Sequence, residues 1–288
     1  MVKKGKSKTG IFIIVPILLI LIISISAYMK NKGFFNKTDE IDVSNVILNE
    51  EFFSSMSEKE LIHYKILNSI DYFKNVSGEL EKTDVKYGDN LKVNYVIDVE
   101  NRRGYVHSIS EAEDSEIICD NGNQLQIDNV KKSYREFQLE VRPKDETLKK
   151  LKPKNRYSEK AGYMVRRDAE YILGADDSVF DQEFSSGELK DYNTWDIKGE
   201  ENYLGRNCVL IEGNLGSVGK SGDKTFRKLV DKDTGMILKS ERLNSKGEVV
   251  LSTIVKSLKI NENINSKVFE KNLKGYMKID KVESEDKS

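Results

Sequence analysis

The glycine-rich stretch Gly213–Ser221 is the segment whose residues come nearest to a chemical motif, since it ends in Gly219-Lys220-Ser221 like a phosphate-binding loop. That motif requires a glycine five residues before Gly219, and this chain has Asn214 there. It also requires a following helix whose N-terminal amides face the phosphate, whereas Phe226–Val230 has the residues of a strand. The sequence therefore predicts a hairpin loop here and no nucleotide site.

A second stretch, Asp231-Lys232-Asp233-Thr234-Gly235, has residue types found in calcium loops and around phosphorylated aspartates. It lacks the later acidic ligands of a calcium loop, and its residue order differs from that around a phosphorylated aspartate. The glycine at its end suits a turn, because glycine adopts positive φ without steric cost. We therefore predict a β-turn between two strands.

The chain has two histidines, and neither has neighbours spaced for metal binding or catalysis. His63 falls in a predicted helix and His107 in a predicted strand, and no serine stands in a nucleophile-elbow pattern. A triad assembled from distant residues would leave no such pattern. On these grounds we expect no catalytic, metal-binding or cofactor-binding residues and a protein that is not an enzyme.

Cys119 and Cys208 are the only cysteines, and they leave two interpretations open. Outside the cytoplasm thiols tend to oxidise, so a disulfide between them would join the two halves of the predicted sheet. They fall on strands far apart in the sequence, so both could instead be buried free thiols. The geometry of the fold decides between these alternatives.

The overall charge is nearly balanced, with 47 lysines and arginines against 48 aspartates and glutamates. A nucleic-acid-binding protein would show a basic excess, so no nucleic-acid partner is expected.

The elements that must position any site are mostly strands. Asn193–Phe269 alternates apolar and polar residues in five segments separated by short Gly/Asn/Asp turns, which predicts an antiparallel meander. Leu91–Val99 alternates in the same way, and Tyr105–Ile109, Glu116–Cys119 and Gln124–Ile127 continue the pattern.

Two helices are predicted beside the sheet. Ser57-Glu58-Lys59-Glu60 is a capping box, and the apolar residues that follow it share one face of a helix over Ser57–Lys74. Ser158 begins a second predicted helix that extends to Leu173. An amphipathic helix next to a sheet with one polar face is expected to cover the other face.

The turn and strand pattern resembles a known family. Its elements are Trp195-x-Ile197-x-Gly199, Leu204-Gly205-Arg206-x-Cys208-Val209-Leu210, and Asp231-x-x-Thr234-Gly235 with the strand after it. This order is similar to the lipoprotein-carrier superfamily, which contains the LolA and LolB carriers and the N-terminal domains of the RseB/MucB regulators. The resemblance covers roughly Ser57 to Phe269.

The resemblance implies a mainly β (α+β) fold, a half-open curved antiparallel barrel with helices in its concave mouth and an apolar cavity for acyl chains. The candidate cavity residues are the apolar side chains of the first helix and the first meander strand, namely Ile62, Ile66, Ile70, Phe73, Trp195 and Ile197. The same residues could equally fill a dry core, and the sequence leaves both interpretations open.

A membrane anchor is predicted at Ile11–Met29, because these nineteen uncharged residues are long enough to cross a bilayer as a helix. The lysines at positions 3, 4, 6 and 8 favour a cytoplasmic N-terminus. The predicted organisation is a cytoplasmic segment 1–10, the transmembrane helix 11–29, a stalk 30–56, an extracytoplasmic domain 57–275 and a polar tail 276–288. A cleaved signal peptide is the alternative for the apolar segment.

Together these features predict a membrane-anchored, extracytoplasmic, non-enzymatic module that binds lipid or lipoprotein or senses the state of the envelope. The expected partners are the membrane, acyl chains, a lipoprotein or a membrane-embedded regulatory protein. An anchored chain cannot travel between membranes, so a sensor or tethered acceptor is favoured over a shuttle. The alternative is a structural or interaction protein of the cell envelope with a packed sheet and no cavity.

Overall fold

A twelve-stranded sheet is the framework of the computed structural model, which describes residues 43–158, 162–216 and 222–279. The strands in chain order are β1 (Asn75–Asp84), β2 (Asp89–Asp98), β3 (Arg103–Ile109), β4 (Asp114–Asp120), β5 (Asn123–Asp128), β6 (Ser133–Gln138), β7 (Tyr157–Ser158), β8 (Gly162–Tyr163), β9 (Trp195–Tyr203), β10 (Arg206–Asn214), β11 (Asp223–Asp231), β12 (Ile237–Asn244), β13 (Val249–Ile260) and β14 (Met277–Lys278). The short strands β7 and β8 pair only with each other in the described residues, and the other twelve form the large sheet.

The large sheet consists of two meanders placed side by side. Its spatial order is β14-β6-β5-β4-β3-β2-β1-β13-β12-β11-β10-β9, and β1 pairs antiparallel with β13 where the two meanders meet. The sheet is curved and unclosed, because β9 and β14 lie at opposite ends of this order. The prediction of a mainly β protein with a curved antiparallel sheet is therefore confirmed, with one parallel pair, β14 on β6.

The five predicted strands of the second meander are all present as β9 to β13. The predicted turn at Asp231–Gly235 joins β11 to β12, with Gly235 at φ 76°. Gly247, in the turn between β12 and β13, has φ 77°. Glycine occupies this region freely, so it fixes where each hairpin reverses.

The predicted glycine-rich loop connects β10 to β11, and its residues 217–221 lie outside the described part of the chain. The residues after it form strand β11 from Asp223, as the sequence pattern predicts, and no helix begins there.

The helices are short, and they are α1 (Glu50–Ser54), α2 (Glu58–Leu67), α3 (Glu146–Lys149), α4 (Asp176–Val179) and α5 (Gln182–Gly187). Helix α2 begins at the predicted capping box: the Ser57 side chain accepts from the Glu60 amide at 3.3 Å, and Glu60 Oε2 accepts from the Ser57 amide at 3.0 Å. The predicted start of this helix is confirmed.

Removing the cap should weaken the protein measurably. We expect Ser57→Ala to lower the free energy of unfolding by about 1 kcal/mol, because the Glu60 amide loses its acceptor at the helix end. Ser57→Asn is the matched control and should cost much less, since asparagine also caps helices. Urea unfolding with equal midpoints for the wild-type protein and Ser57→Ala would contradict this role.

The predicted first helix, Ser57–Lys74, is longer than the helix observed. Helix α2 ends at Leu67, a 3-10 turn occupies Ser69–Asp71, and β1 begins at Asn75 instead of continuing a helix to Lys74. Gly78 lies inside β1. A Cβ on it would meet the Ser257 carbonyl oxygen at 2.3 Å, so its lack of a side chain permits close strand approach.

The second predicted helix, Ser158–Leu173, is wrong in its described part. The chain forms the β7–β8 hairpin, then runs without helix from 164 to 172 before the 3-10 turn Leu173–Ala175. Arg166 explains the extended path, because its guanidinium bonds to the carboxylate of Asp168, two residues along the chain. Residues two apart point away from each other on a helix, so this ion pair requires a non-helical backbone.

Three clusters of apolar side chains hold these elements together. The largest packs β1–β4 and β10–β13 against residues 169–180, with Leu80, Val106 and Val179 among its members. The second packs α2 and α5 against β9–β12. The third lies around Ile118 and Ile127 and packs against the C-terminal segment near Phe269.

None of the helices in the described parts of the chain is long and apolar enough to cross a membrane. The predicted cytoplasmic segment 1–10, the predicted anchor 11–29, the stalk as far as residue 42 and the polar tail after residue 279 lie outside the described residues. The rest of the predicted stalk contains α1. Strand β14, within the predicted polar tail, adds to the sheet beside β6.

Candidate functional site

The six predicted cavity residues are divided between two packed clusters. Ile62, Ile66 and Trp195 are buried in the α2–α5 cluster, with Ile197 packed against it, whereas Ile70 and Phe73 belong to the largest cluster. The Trp195 indole also donates to the Leu189 carbonyl at 3.2 Å, which fixes its ring. The structure therefore gives these side chains protein contacts, and their exchange of those contacts for a ligand stays a prediction.

One of the six, Ile62, borders a small recess beside helix α2. This recess has a volume of about 250 Å³ and is lined by apolar side chains that include Leu61, Val209 and Val230. Lys65 and Lys232 stand at its rim, where the Lys65 ammonium bonds to the Lys232 carbonyl. It is small beside a typical ligand site of about 300–1,000 Å³.

A larger space lies elsewhere, over the middle of the sheet. We call it the central cleft: it has a volume of about 760 Å³, with a floor on β2, β1, β13, β12 and β11 and a wall formed by residues 166–170 and 176–184. Its size is typical of a ligand-binding site. None of the six predicted cavity residues lines it.

Strand register places the floor residues of the cleft in a row. Leu91 on β2 lies opposite Lys82 on β1, which lies opposite Thr253 on β13. Thr253 lies opposite Ser240 on β12, and Ser240 lies opposite Lys228 on β11. Residues directly opposite one another share a face of a sheet, so this row of five crosses the cleft on one face.

A second row lies beside the first, nearer the hairpin ends. Asp89 is opposite Asp84, Asp84 is opposite Leu251, and Leu251 is opposite Arg242. All four line the cleft. The floor therefore combines apolar side chains with charges of both signs.

Two ion pairs tie the wall of the cleft to its floor. Lys82 Nζ lies 2.7 Å from Asp177 Oδ2 on α4, and Lys228 Nζ lies 2.7 Å from Asp181 Oδ2, just before α5. The Lys228 ammonium also stands 3.5 Å from the centre of the Phe184 ring, a cation–π contact. Because Lys228 and Asp181 are both buried, this second pair anchors the wall firmly.

The other end of the wall is held by a buried arginine. Arg166 contacts Asp168 Oδ2 at 2.7 Å and Asp71 Oδ2 at 2.6 Å, and its side chain is fully buried. Burial alone would raise the pKa of the Asp168 carboxyl, but the hydrogen bonds and charge of Arg166 hold that pKa below its usual value. Arg166 thus connects the cleft wall to the 3-10 turn after α2.

Neither histidine forms a catalytic or metal-binding arrangement with other described residues. His63 is buried and its Nδ1 lies 3.1 Å from the Tyr192 hydroxyl; burial lowers its pKa to about 3, so it is neutral at physiological pH. His107 Nε2 lies 2.9 Å from Asp114. Within the described residues, no group of three or more metal-ligating side chains comes together.

Cys119 and Cys208 are both free and fully buried in the largest cluster. Burial raises the pKa of each thiol to about 11, so both are protonated and unreactive at neutral pH. The disulfide alternative is not formed in the structure, and the free-thiol alternative describes what is observed.

One residue of the cleft could have been recognised from the sequence pattern. Along β11, Phe226, Lys228 and Val230 alternate on one face, so Lys228 occupies a position where the pattern calls for an apolar residue. A lysine at such a position usually has a buried partner. Its partner, Asp181, lies 47 residues earlier in a segment without regular alternation, which is why sequence reasoning missed the pair.

Comparisons with known proteins give similarity in structure alone. No protein-family model matches the chain, and no curated protein matches it. Among solved structures, an uncharacterised conserved protein from Thermus thermophilus is 10% identical with a TM-score of 0.43, and the match covers 75% of this chain and 96% of that one.

Two other solved structures are similar at the same level. The Pseudomonas aeruginosa MucA/MucB complex is 12% identical with a TM-score of 0.42, and the match covers 75% of this chain but only 62% of that one, less than two thirds. The Mycobacterium tuberculosis lipoprotein LppX is 9% identical with a TM-score of 0.37, and the match covers 73% and 99% of the two chains. All three TM-scores lie below 0.5. The resemblance drawn from the sequence is confirmed to the extent that MucB is among the solved structures to which this chain is similar.

Proposed function

We propose that this chain is a membrane-anchored, extracytoplasmic and non-enzymatic module that binds an amphiphilic ligand, such as a lipid or the acylated end of a lipoprotein, in its central cleft. The observation that carries the proposal is the cleft itself: about 760 Å³ over the middle of a curved sheet, with apolar and charged side chains on facing surfaces. An amphiphile needs both kinds of contact at once. A regulatory membrane protein is the natural recipient of a signal from such a module.

Leu91 and Leu251 supply apolar contacts from the floor of the cleft, and Phe180 and Phe184 supply them from the wall. The ion pairs from Lys82 and Lys228 hold wall and floor at a fixed separation. A site that is already formed before binding does not spend binding energy on ordering itself. This arrangement supports binding in the cleft rather than among the packed residues under α2.

The second candidate is a structural or interaction protein of the cell envelope with no ligand. The packing of the six predicted cavity residues favours it, because five of them are 9% exposed or less. The two candidates differ in one respect: only the first requires the central cleft to be occupied by an apolar chain.

Photolabelling of the full-length chain in lipid nanodiscs separates them. With a phospholipid that carries a diazirine on its acyl chain, we expect labelled peptides from β13 and from residues 166–184. Thr253→Trp places a large ring on the cleft floor and should reduce this labelling several-fold. The matched control is Ile254→Trp, since neighbouring strand residues point to opposite faces.

Labelling confined to the predicted anchor 11–29, with none in the cleft, would remove the ligand-binding proposal and leave the structural candidate. Equal labelling of Thr253→Trp and Ile254→Trp would place the ligand outside the cleft.

A further inference from the structure

The acidic and basic side chains that line the central cleft do not balance each other. Five basic side chains line it: Lys82, Arg166, Lys228 and Arg242 each have a carboxylate partner within 3.1 Å, and Arg167 is exposed. Four of its acidic residues have no basic side chain within 4.0 Å among the residues that the structure describes, namely Asp84, Asp89, Asp176 and Glu183. Seven acidic side chains line the cleft against the five basic ones, so its net charge is negative.

Asp176 is the most informative of these carboxylates. It is exposed to solvent at the start of α4, yet it stands in the cleft with protein on several sides. Desolvation by this surrounding protein and the neighbouring charge of Asp177 raise its pKa to about 6. The nearby ammonium of Lys82 forms its ion pair with Asp177, and its charge offsets only part of the rise in the pKa of Asp176.

Apolar side chains lie within the same cleft. Phe180 and Phe184 are buried in the wall, and Leu91 and Leu251 face them from the floor rows. We propose that the central cleft selects an amphiphile that carries an ammonium group, with the ammonium among Asp84, Asp89, Asp176 and Glu183 and the apolar chain against the phenylalanines and leucines. This inference rests on the proposed function and names the chemical class of its ligand.

A basic peptide would offer the same charge, but the floor of the cleft is unsuited to it. Strands β1, β2, β11, β12 and β13 are each hydrogen-bonded to a neighbour on both sides, so the floor presents side chains and no free strand edge. Extended peptides are commonly bound by adding a strand to such an edge. An amphiphile needs no backbone partners, so the floor favours it.

The test uses three photoreactive alkyl probes of equal chain length that end in a primary amine, an alcohol or a carboxylate. Each is added to the full-length chain in zwitterionic nanodiscs, and labelled peptides are quantified by mass spectrometry. We expect the amine to label cleft peptides roughly tenfold more than the carboxylate, because several unpaired carboxylates attract it and repel the anion.

Asp176→Asn removes one of these charges and should lower labelling by the amine about fivefold, the effect of one solvent-exposed ion pair. The alcohol should label the wild-type protein and Asp176→Asn equally, which also corrects for probe that dissolves in the bilayer. Glu183→Gln provides a second variant at an exposed site and should act in the same direction.

Lowering the pH should act like Asp176→Asn. As the pH falls from 7.5 to 5, Asp176 becomes protonated around its pKa of about 6, and labelling by the amine should decline while labelling by the alcohol stays constant. The other charged side chains that line the cleft with Asp176 are Asp177 on its own helix, Lys82 and Asp84 on β1, Asp89 on β2, Lys228 on β11, Arg242 on β12, and Arg166, Arg167, Glu170, Asp181 and Glu183 from the wall. The probe amine keeps its charge over this range.

The outcomes separate the two proposals. Equal labelling of the cleft by all three probes, unchanged by Asp176→Asn, would overturn the ammonium preference and leave the proposed function intact. The absence of cleft labelling by every probe would overturn both. Competition by a lysine-rich peptide but not by a long-chain alkylamine would replace the amphiphile with a basic peptide and would also overturn this inference.

Discussion

Arg166→Met should lower the free energy of unfolding by about 3–5 kcal/mol, the typical cost of removing one partner from a buried ion pair. The side chain of Arg166 is 0% exposed, and those of Asp71 and Asp168 are 5% and 3% exposed. Methionine fills much of the same volume but has no charge. The variant would therefore remove the cation beside Asp168 in low-dielectric surroundings, where an unpaired charge is unfavourable, and would leave Asp71 with Lys144 at 2.7 Å.

Arg167→Met is the matched control for this variant. Arg167 is the next residue and is exposed, so its replacement should change stability by less than about 0.5 kcal/mol. Urea unfolding of both variants measures the difference. Similar midpoints for Arg166→Met and Arg167→Met would show that the buried network contributes little beyond what well-packed apolar side chains supply.

The effect of Arg166→Met should depend on pH in a defined direction. The folded-state pKa of Asp168 lies below its usual value, so the ion pair contributes stability at pH values above about 4 and loses it as the pH falls through the folded pKa. The difference in unfolding free energy between the wild-type protein and the variant should therefore narrow below about pH 4. A constant difference from pH 7 to pH 3 would contradict this assignment.

The role of Arg166 also shows why the second helix was predicted wrongly from the sequence. Ala161, Val165, Ala169 and Ile172 have helical spacing, which predicts a helix on local grounds alone. The ion pairs of Arg166 with Asp71, 95 residues earlier, and with Asp168 outweigh that weak preference. A long-range pair of this kind has no signature in the local pattern.

The hairpins could be predicted because the residues that specify each one lie close together in the sequence. Each strand of the second meander alternates in character, and each turn carries a glycine or asparagine at the required point, as in the turns ending at Gly235 and Gly247. Strand β1 was missed because it has few apolar residues: Val76 and Leu80 are its fully buried ones, separated by polar positions. Its pairing partners β2 and β13 define it more strongly than its own residues do.

The central cleft could not be predicted for a related reason. Its floor row, from Leu91 through Lys82, Thr253 and Ser240 to Lys228, exists only because five strands align in one register. The chain order of these residues is unlike their spatial order. The family resemblance predicted an apolar cavity in the concave face. The apolar residues proposed to line that cavity are packed against other protein side chains in the structure.

Gly235→Ala should lower the free energy of unfolding by about 2–5 kcal/mol, because it strains a turn of the second meander and overpacks that turn against α2. Gly235 has φ 76°, which costs an alanine about 1–2 kcal/mol. A Cβ there would also lie 2.3 Å from the Lys65 carbonyl carbon and 2.7 Å from the Ile66 amide nitrogen. These are backbone atoms of α2, so the helix itself would have to move, and such overpacking adds about 1–3 kcal/mol.

Gly247→Ala separates the two contributions to this effect. Gly247 has nearly the same backbone angle, φ 77°, but a Cβ on it would meet nothing within 4 Å. Its replacement should therefore show the conformational cost alone, about 1–2 kcal/mol. The excess loss in Gly235→Ala, measured by urea unfolding, then reports the contact between the β11–β12 turn and α2. If the two variants unfold at the same urea concentration, the turn does not press against the helix, and the packing of α2 on the sheet is looser than this structure shows.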